Sequence, residues 1–332
     1  MDYVNLKNLL LVYENKRNAA IAKASKKKAS IYSQNSRLQE IDDELSKCAI
    51  ETAKSLLMST FNCSLQDLNA KKSKLKLEKE KILKSMNYSL DDFKPIFECS
   101  KCNDTGYIQN GYKTEMCSCL KQQIFNMEYN TYNVYNMQNQ TFDNFKDSFY
   151  CNEVNTERYN STVSPRDNIL FIKKICNKFI KNFDSKDEKN LLFTGNSGLG
   201  KTFLSNCIAN KLLSEGKTVL YQTAPVMLDN VLNYKLGKAP DNLNLYKNLL
   251  SVDLLIIDDL GTESMNNLKF AELFTIINSR LLPQNSKSTK TIISTNLDLN
   301  ELSKAYGERI VSRFAGNYNI CHFYGDDIRF KK

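Results

Sequence analysis

Eight consecutive residues, Gly195-Asn196-Ser197-Gly198-Leu199-Gly200-Lys201-Thr202, fit the pattern G-x-x-x-x-G-K-[ST] at every defined position. These residue types at this spacing bind polyphosphate: the glycines allow close backbone approach, the lysine faces the β- and γ-phosphates, and the hydroxyl ligates Mg²⁺. A second chemical pair lies downstream, where Leu254-Leu255-Ile256-Ile257 runs into Asp258-Asp259. Asp258 is the expected Mg²⁺ partner, directly or through water, and Asp259 is placed to orient or deprotonate an attacking water. Thr291-Ile292-Ile293-Ser294-Thr295 runs into Asn296, whose amide can hold that water near the γ-phosphate. A plain Asn turn is the competing view of Asn296.

Four cysteines form a separate constellation. Cys99 and Cys102 are spaced C-x₂-C, and after fourteen intervening residues Cys117 and Cys119 are spaced C-x-C. Two thiolates from each of two tight turns can close a tetrahedral Zn²⁺ site, with unmetallated thiols or an Fe–S cluster as alternatives. Gly106 and Gly111 let the intervening loop fold back. Cys48, Cys63, Cys151, Cys176, Cys207 and Cys321 occur singly and are expected to pack as small apolar residues. His322, the only histidine, lies in an apolar stretch and reads as structural.

Positioning these groups requires particular elements. Leu191-Leu192-Phe193-Thr194 predicts a strand entering the glycine loop, and Phe203 through Leu213 predicts a helix leaving it and ending near Gly216. Strand, loop and helix together aim backbone N–H groups and a helix N-terminus at phosphate. From about residue 166 onward, short β-rich runs alternate with helical segments, which predicts a parallel sheet covered by helices. An acidic pair at a strand's C-terminal end sits where open α/β sheets bind ligands. Residues 1–90 contain no Gly and no Pro. Leu38, Ile41, Leu45 and Cys48, then Leu68, Leu75, Ile82 and Met86, recur at helical spacing, and Ser64-Leu65-Gln66-Asp67 looks like a capping box. Between about 121 and 165, Tyr129, Tyr132, Tyr135, Phe142, Phe145, Phe149 and Tyr150 read as aromatics of a linker that packs onto the next domain.

The chain has 332 residues, enough for two or three domains at about 100–200 residues each. With 42% hydrophobic and 25% charged residues, composition excludes a wholly disordered chain. No apolar run approaches the roughly 18–20 residues that span a bilayer, and no signal peptide is visible, so a cytoplasmic protein without membrane partners is expected. Net charge is 46 − 37 = +9; residues 1–90 carry 17 Lys/Arg against 10 Asp/Glu. That basic segment suits an acidic protein partner or nucleic acid, although a solvated lysine-rich helical surface is an equal reading.

Taken together, GNSGLGKTFLSNCIA (195–209), LLIIDDLGTE (254–263), IISTN (292–296), GERIVSRF (307–314) and GDDIR (325–329) resemble the AAA+ ATPases. Within these, they resemble the DnaC/DnaI-type loaders of replicative helicases. The resemblance covers roughly residues 165–332. It implies an α/β AAA+ P-loop NTPase domain at 166–332, preceded by a basic helical region at 1–94, a Cys₄ zinc module at 95–125 and an aromatic linker at 126–165. It implies ATP, Mg²⁺ and Zn²⁺ as cofactors. Gly195, Asn196, Ser197, Gly198, Leu199, Gly200, Lys201, Thr202 and Asp258 then hold nucleotide, with Thr202 and Asp258 also holding Mg²⁺. Asn296 matches sensor 1, Arg313 the arginine that reaches a neighbouring subunit's ATP site, and Arg329 the sensor-2 arginine. Arg309, four residues before Arg313, shares its helical face and is the alternative finger. Asp259 stands where the wider AAA+ group usually has Glu; its shorter reach fits slow, switch-like hydrolysis.

The implied function is ATP-dependent loading of a replicative helicase hexamer during initiation. The N-terminal region would grip the helicase, while the AAA+ domain binds ATP and single-stranded DNA and self-associates through shared seams. Tyr221, Tyr234, Lys235 and Lys238 are candidate DNA contacts, with core packing an equal reading for Tyr221. An IstB-like transposase-assisting ATPase is the nearest alternative, a P-loop small-molecule kinase a more distant one, and a pure adaptor with a degraded site the least compatible with intact Lys201, Thr202 and Asp258.

Overall fold

The computed structural model describes residues 3–57, 65–128, 139–238, 243–264, 266–282 and 288–331. The described residues divide into two compact units, residues 3–117 and residues 118–331.

In the first unit, the absence of helix breakers gives three long helices: α1 (Tyr3–Tyr32), α2 (Ser36–Leu57) and α3 (Leu65–Ser85). The apolar positions spaced at helical intervals meet as expected. Ile41, Cys48 and Leu75 form one small core with Leu45 and Ile82 against it, and Ile31, Tyr32, Leu38 and Leu83 form another with Met86 against it. Polar groups pin the same helices together. Arg37 reaches Glu78 on α3 at 2.8 Å and Glu44 at 2.9 Å, while Asp42 accepts from Tyr32 at 2.7 Å and from Lys28 at 3.0 Å, and pairs with Lys79. Ser64, Cys63, Tyr129, Tyr132 and Tyr135 lie outside the described residues. A two-stranded hairpin, β1 (Tyr107–Asn110) and β2 (Lys113–Met116), follows the helices.

The second unit opens with α4 (Ser118–Glu128), the single turn α5 (Thr156–Tyr159) and α6 (Pro165–Lys181). It then alternates β3 (Asn190–Thr194), α7 (Lys201–Ser214), β4 (Val219–Thr223), α8 (Ala224–Lys235), α9 (Leu243–Ser251), β5 (Leu254–Leu260), α10 (Asn267–Leu281), β6 (Lys290–Thr295), α11 (Leu299–Asn317) and β7 (Tyr318–His322). The five strands β3 to β7 form one parallel sheet in the order β4-β5-β6-β3-β7. Successive strand residues face opposite layers. Leu191, Phe193, Leu254, Ile256 and Ile292 join the core under α6 and α7, whereas Leu192, Leu255, Ile257 and Ile293 join the core under α8 to α11. Strands buried on both faces explain the unbroken apolar runs in the sequence. The strand order puts β6 between β3 and β5, so the loop after β3, the acids ending β5 and the residue after β6 open at one edge of the sheet.

The linker aromatics pack as expected: Phe145 and Tyr150 belong to the core under α6 and α7, with Phe142 and Phe149 packed against it. Arg280 is buried and donates to the carbonyls of Leu249 (2.7 Å), Val252 (3.1 Å) and Lys290 (2.6 Å), tying α10 to the sheet. Burial pushes its guanidinium down to about 10. Edge strand β4 is closed by a side chain acting as backbone. Gln122 of α4 donates its amide to the Val219 carbonyl at 2.9 Å and accepts the Val219 N–H at 2.7 Å. Losing that double contact orphans two buried backbone groups, and Gln122→Ala should cost about 1–3 kcal/mol. Urea unfolding followed through the second unit should show the lower midpoint; an unchanged midpoint would contradict this role.

Candidate nucleotide-binding site

The loop between β3 and α7 has the backbone a phosphate cradle needs. Gly195 lies at φ +123°, and a Cβ there would meet the Phe323 carbonyl oxygen at 2.1 Å; Gly198 lies at φ +75°, where a Cβ would meet Asp327 Oδ1 at 2.1 Å. No side chain fits at either position. Gly200 is the N-cap of α7, so the helix starts at Lys201 and points its free N–H groups back into the loop. Leu199 is buried beneath the loop, and its carbonyl accepts the Tyr150 hydroxyl at 2.9 Å. Asn196 and Ser197 remain exposed at the tip.

Lys201 turns inward. Its ammonium donates to the carbonyls of Gly195 and Asn196 (2.7 Å) and to Asn296 Oδ1 at 2.8 Å. Burial pushes its pKa down to about 8; Asp258 and Asp259 oppose that shift and Arg329 adds to it. Thr202 donates its hydroxyl to Asp258 Oδ2 at 3.0 Å. Thus Lys201, Thr202, Asp258 and Asn296, from three separate stretches of sequence, form one contact network.

Asp258 is only 2% exposed. Tyr221 donates to its Oδ2 and Ser294 to its Oδ1, and the Asp259 N–H adds a bond of 3.1 Å to Oδ1. Asp259 takes the other direction. The β5–β6 register shifts between Ile257 and Leu260, and Asp259 sits in the left-handed region at φ +54°, with its side chain exposed. A bulge of this kind re-aims one side chain out of the strand's alternation. It lets adjacent acids serve different purposes, one buried and one open to the site. Partial burial, then the neighbouring Asp258 charge, raise the Asp259 pKa.

The arginines divide between two places. Arg329 is brought to the loop by the C-terminal segment. Ile328 N–H donates to the Gly198 carbonyl at 2.9 Å, Asp327 packs on Gly198, and Arg329 Nε donates to Asp327 Oδ1 at 2.9 Å. Arg313 on α11 donates to Asn278 Oδ1 on α10 at 2.8 Å. It shares a surface depression with Arg309, Phe274, Glu308 and Ser312, whose lining includes no phosphate-loop residue.

The sequence reading of Tyr221 as a DNA contact is corrected: its ring is buried in the core under α7 and its hydroxyl is bound to Asp258. That hydroxyl, Ser294, Tyr150 and Asp327 are site residues that the motifs did not reveal. The available signal was a tyrosine and a serine in otherwise apolar strands flanking the acidic pair; Tyr221 pairs with Ile256, two residues before Asp258. His322 packs structurally, its Nδ1 3.1 Å from Thr194 Oγ1 across the β3–β7 pair.

The four cysteines also converge: the sulfurs of Cys99, Cys102, Cys117 and Cys119 all lie within 4.8 Å of one another. Cys99 Sγ and Cys117 Sγ are 3.9 Å apart, close to the roughly 3.8 Å edge of a tetrahedron with metal–sulfur bonds of about 2.3 Å. Local bonds shape both turns. Asp104 accepts the Cys99 N–H at 2.8 Å and the Glu98 N–H at 2.9 Å, and the Cys117 N–H donates to the Gly106 carbonyl at 2.8 Å. The donor set fits a soft metal held by four thiolates.

Two outcomes follow from this geometry. Lys201 carries its charge below about pH 8 and sheds it above, and a bound triphosphate restores the proton. Triphosphate affinity should therefore fall above pH 8 by up to about tenfold per unit, with uptake of up to about one proton. Calorimetry at pH 9 in buffers of different ionisation heat reads that uptake, and Lys201→Arg should abolish it; equal heats in wild type would contradict it. Purified protein should also carry about one zinc per chain, lost when Cys117 and Cys119 are replaced by Ser. Elemental analysis that finds no zinc, or full retention in the double variant, would refute the Cys₄ assignment.

Comparisons with known proteins agree with the site. Residues 173–316 match the sequence profile of the IstB-like ATP binding protein family. The replicative helicase loader DnaC of Escherichia coli is 29% identical over 153 residues, which is 46% of this chain and 60% of the relative. DnaC of Buchnera aphidicola subsp. Baizongia pistaciae is 30% identical over 167 residues, 49% of this chain and 63% of the relative. The chain thus spans about 60% of the length of the curated relatives it matches. A crystal structure of the DnaC helicase loader aligns with 57% of this chain and 100% of its own at 20% identity and TM-score 0.43. No described helix is long and apolar enough to cross a membrane. Residues 173–316 are thus similar to the IstB-like ATP binding protein family, and the chain is similar in sequence to replicative helicase loaders.

Proposed function

We propose that this protein is an ATP-dependent loader of a replicative DNA helicase, acting in the cytoplasm during initiation of replication. The similarity to two DnaC loaders over about half of the chain carries this reading. The convergence of Lys201, Thr202, Asp258 and Asn296 at adjacent strand ends supports its ATP-dependent part.

Within this reading, the loop from Gly195 to Thr202 holds the triphosphate, with Lys201 facing its terminal phosphates. Thr202 and Asp258 hold Mg²⁺, which neutralises charge on the phosphates when bound. Asp259 receives or orients the proton of the attacking water, and Asn296 fixes that water's position. Asp259 reaches the site from a fixed left-handed backbone with a short side chain, so hydrolysis is slow and suited to a switch. Arg329 contacts phosphate in its own subunit. Arg313, or Arg309 beside it, completes the site of a neighbouring copy across an AAA+ seam and stabilises the charge developing on the γ-phosphate.

The basic region 1–94 is the helicase grip, 95–125 the zinc module, 126–165 the linker and 166–332 the AAA+ ATPase. Single-stranded DNA binds the AAA+ domain with salt-sensitive affinity. Tyr234, Lys235 and Lys238 are the remaining candidates from the sequence, and Tyr234 stacks on Tyr246 with the Lys235 ammonium 4.7 Å from the Tyr246 ring centre. An IstB-like transposase-assisting ATPase is the second reading, supported by the family match at 173–316. The basic helices and the four-cysteine cluster ahead of the ATPase favour the loader.

Co-purification tests the reading directly: the full chain should retain a replicative helicase hexamer in the presence of ATP, and a variant lacking residues 1–94 should not. Retention of a transposase with no helicase would replace the reading. The shared seam has its own test. Arg313→Ala should bind ATP almost as wild type yet hydrolyse it poorly, and mixing with Lys201→Ala should restore part of the activity. Activity independent of protein concentration, with no rescue on mixing in the presence of helicase and DNA, would mean each chain works alone.

A further inference from the structure

Asp258 raises a question that the phosphate loop alone does not answer. A carboxylate this buried needs several hydrogen-bond donors, and the nearby cation does not serve it: the Lys201 ammonium is directed to Asn296 and two loop carbonyls. The donors are three hydroxyls and one amide. Thr202 and Tyr221 both approach Oδ2, while Ser294 and the Asp259 N–H approach Oδ1. Thr202 is exposed to the site, whereas Tyr221 and Ser294 are buried, on the strands flanking β5. Tyr221 comes from β4 and Ser294 from β6, so each carboxylate oxygen is held by a hydroxyl from a different neighbouring strand.

Rigid support of this kind fixes the plane of the carboxylate and leaves one approach for a ligand, past Thr202. The same strands create the asymmetry of the acidic pair, because Ser294 Oγ also accepts the Asp259 N–H at 3.3 Å and thereby holds the bulge that turns Asp259 outward.

We infer that Tyr221 and Ser294 are positioning residues that brace Asp258 for divalent-metal binding and so set the Mg²⁺ affinity of the nucleotide site. The inference rests on the proposed reading of the site as one that takes ATP with Mg²⁺. Outer partners of a metal-binding carboxylate typically govern about 10–100-fold of metal affinity. Tyr221→Phe and Ser294→Ala each remove one hydroxyl without adding bulk.

The test is a Mg²⁺ titration of mant-ATP fluorescence with the full chain, beside the same nucleotide binding in EDTA and a thermal midpoint for each variant. Each substitution should raise the Mg²⁺ concentration for half-maximal binding about tenfold, with EDTA binding unchanged. The double variant should shift it further. If either variant unfolds early, the other still carries the test, since the two hydroxyls lie on different strands. A half-point equal to wild type in a folded variant would overturn the inference. An equal loss of binding in EDTA would also overturn it, because the residues would then support the loop as a whole. Wild-type protein that binds mant-ATP with no response to Mg²⁺, or not at all, would remove the underlying reading as well.

Discussion

A carboxylate removed from water must be given donors, and in this protein that requirement governs the arrangement of the nucleotide site. Asp258 is satisfied by Thr202 at the start of α7, Tyr221 from β4, Ser294 from β6 and the amide of Asp259 on its own strand. These donors can meet only if β4, β5 and β6 are adjacent and α7 starts above them. The parallel order β4-β5-β6-β3-β7 provides that adjacency. Leaving such a group half satisfied is costlier than an apolar core, so the polar cluster specifies one register for the strands that carry it.

The same network divides labour between neighbouring residues of like charge. Two adjacent acids on a regular strand would point to opposite faces and repel weakly. The bulge after Ile257 breaks that alternation and places Asp259 in a left-handed conformation, open to the site, while Asp258 stays inside. Lys201 lies near both charges but is held by Asn296 and by loop carbonyls, and burial is the largest of the effects that together bring its pKa to about 8. The ammonium therefore meets a bound triphosphate with its hydrogen bonds on neutral oxygens rather than on a protein carboxylate. At the rim, Asp327 packs on Gly198 and pairs with Arg329, so the C-terminal segment becomes a wall of the phosphate loop.

Much of this was legible in the residues themselves. Gly195 to Thr202, the run ending in Asp258 and Asp259, and the strand before Asn296 each announce their element, because a buried parallel strand is a short apolar run and a phosphate loop needs glycine at fixed places. The four cysteines were legible for a similar reason: metal-ligand spacing is local. What escaped was contact between side chains far apart in the chain. Tyr221 could be read as a nucleic-acid contact or, at least equally, as a core aromatic, and only the pairing of β4 with β5 turns its hydroxyl onto Asp258. Ser294 was hidden within a strand motif valued for its final Asn. Gln122 and Arg280 substitute for backbone or carboxylate partners, Gln122 at Val219 and Arg280 at the Leu249, Val252 and Lys290 carbonyls, and no periodicity encodes such roles. Arg309 and Arg313 fall together beside α10, in a depression whose lining includes no phosphate-loop residue.

The central claim is that Thr202 and the braced Asp258 together form the metal-binding corner of an ATP site. Anomalous diffraction from crystals grown with a non-hydrolysable ATP analogue and Mn²⁺ tests it most directly. The account predicts one manganese peak about 2.2 Å from Thr202 Oγ1, with Asp258 bound to it directly or through a single water and its contacts to Tyr221 and Ser294 preserved. A manganese ion bound away from Thr202, or nucleotide seated with no manganese peak at that corner, would contradict it.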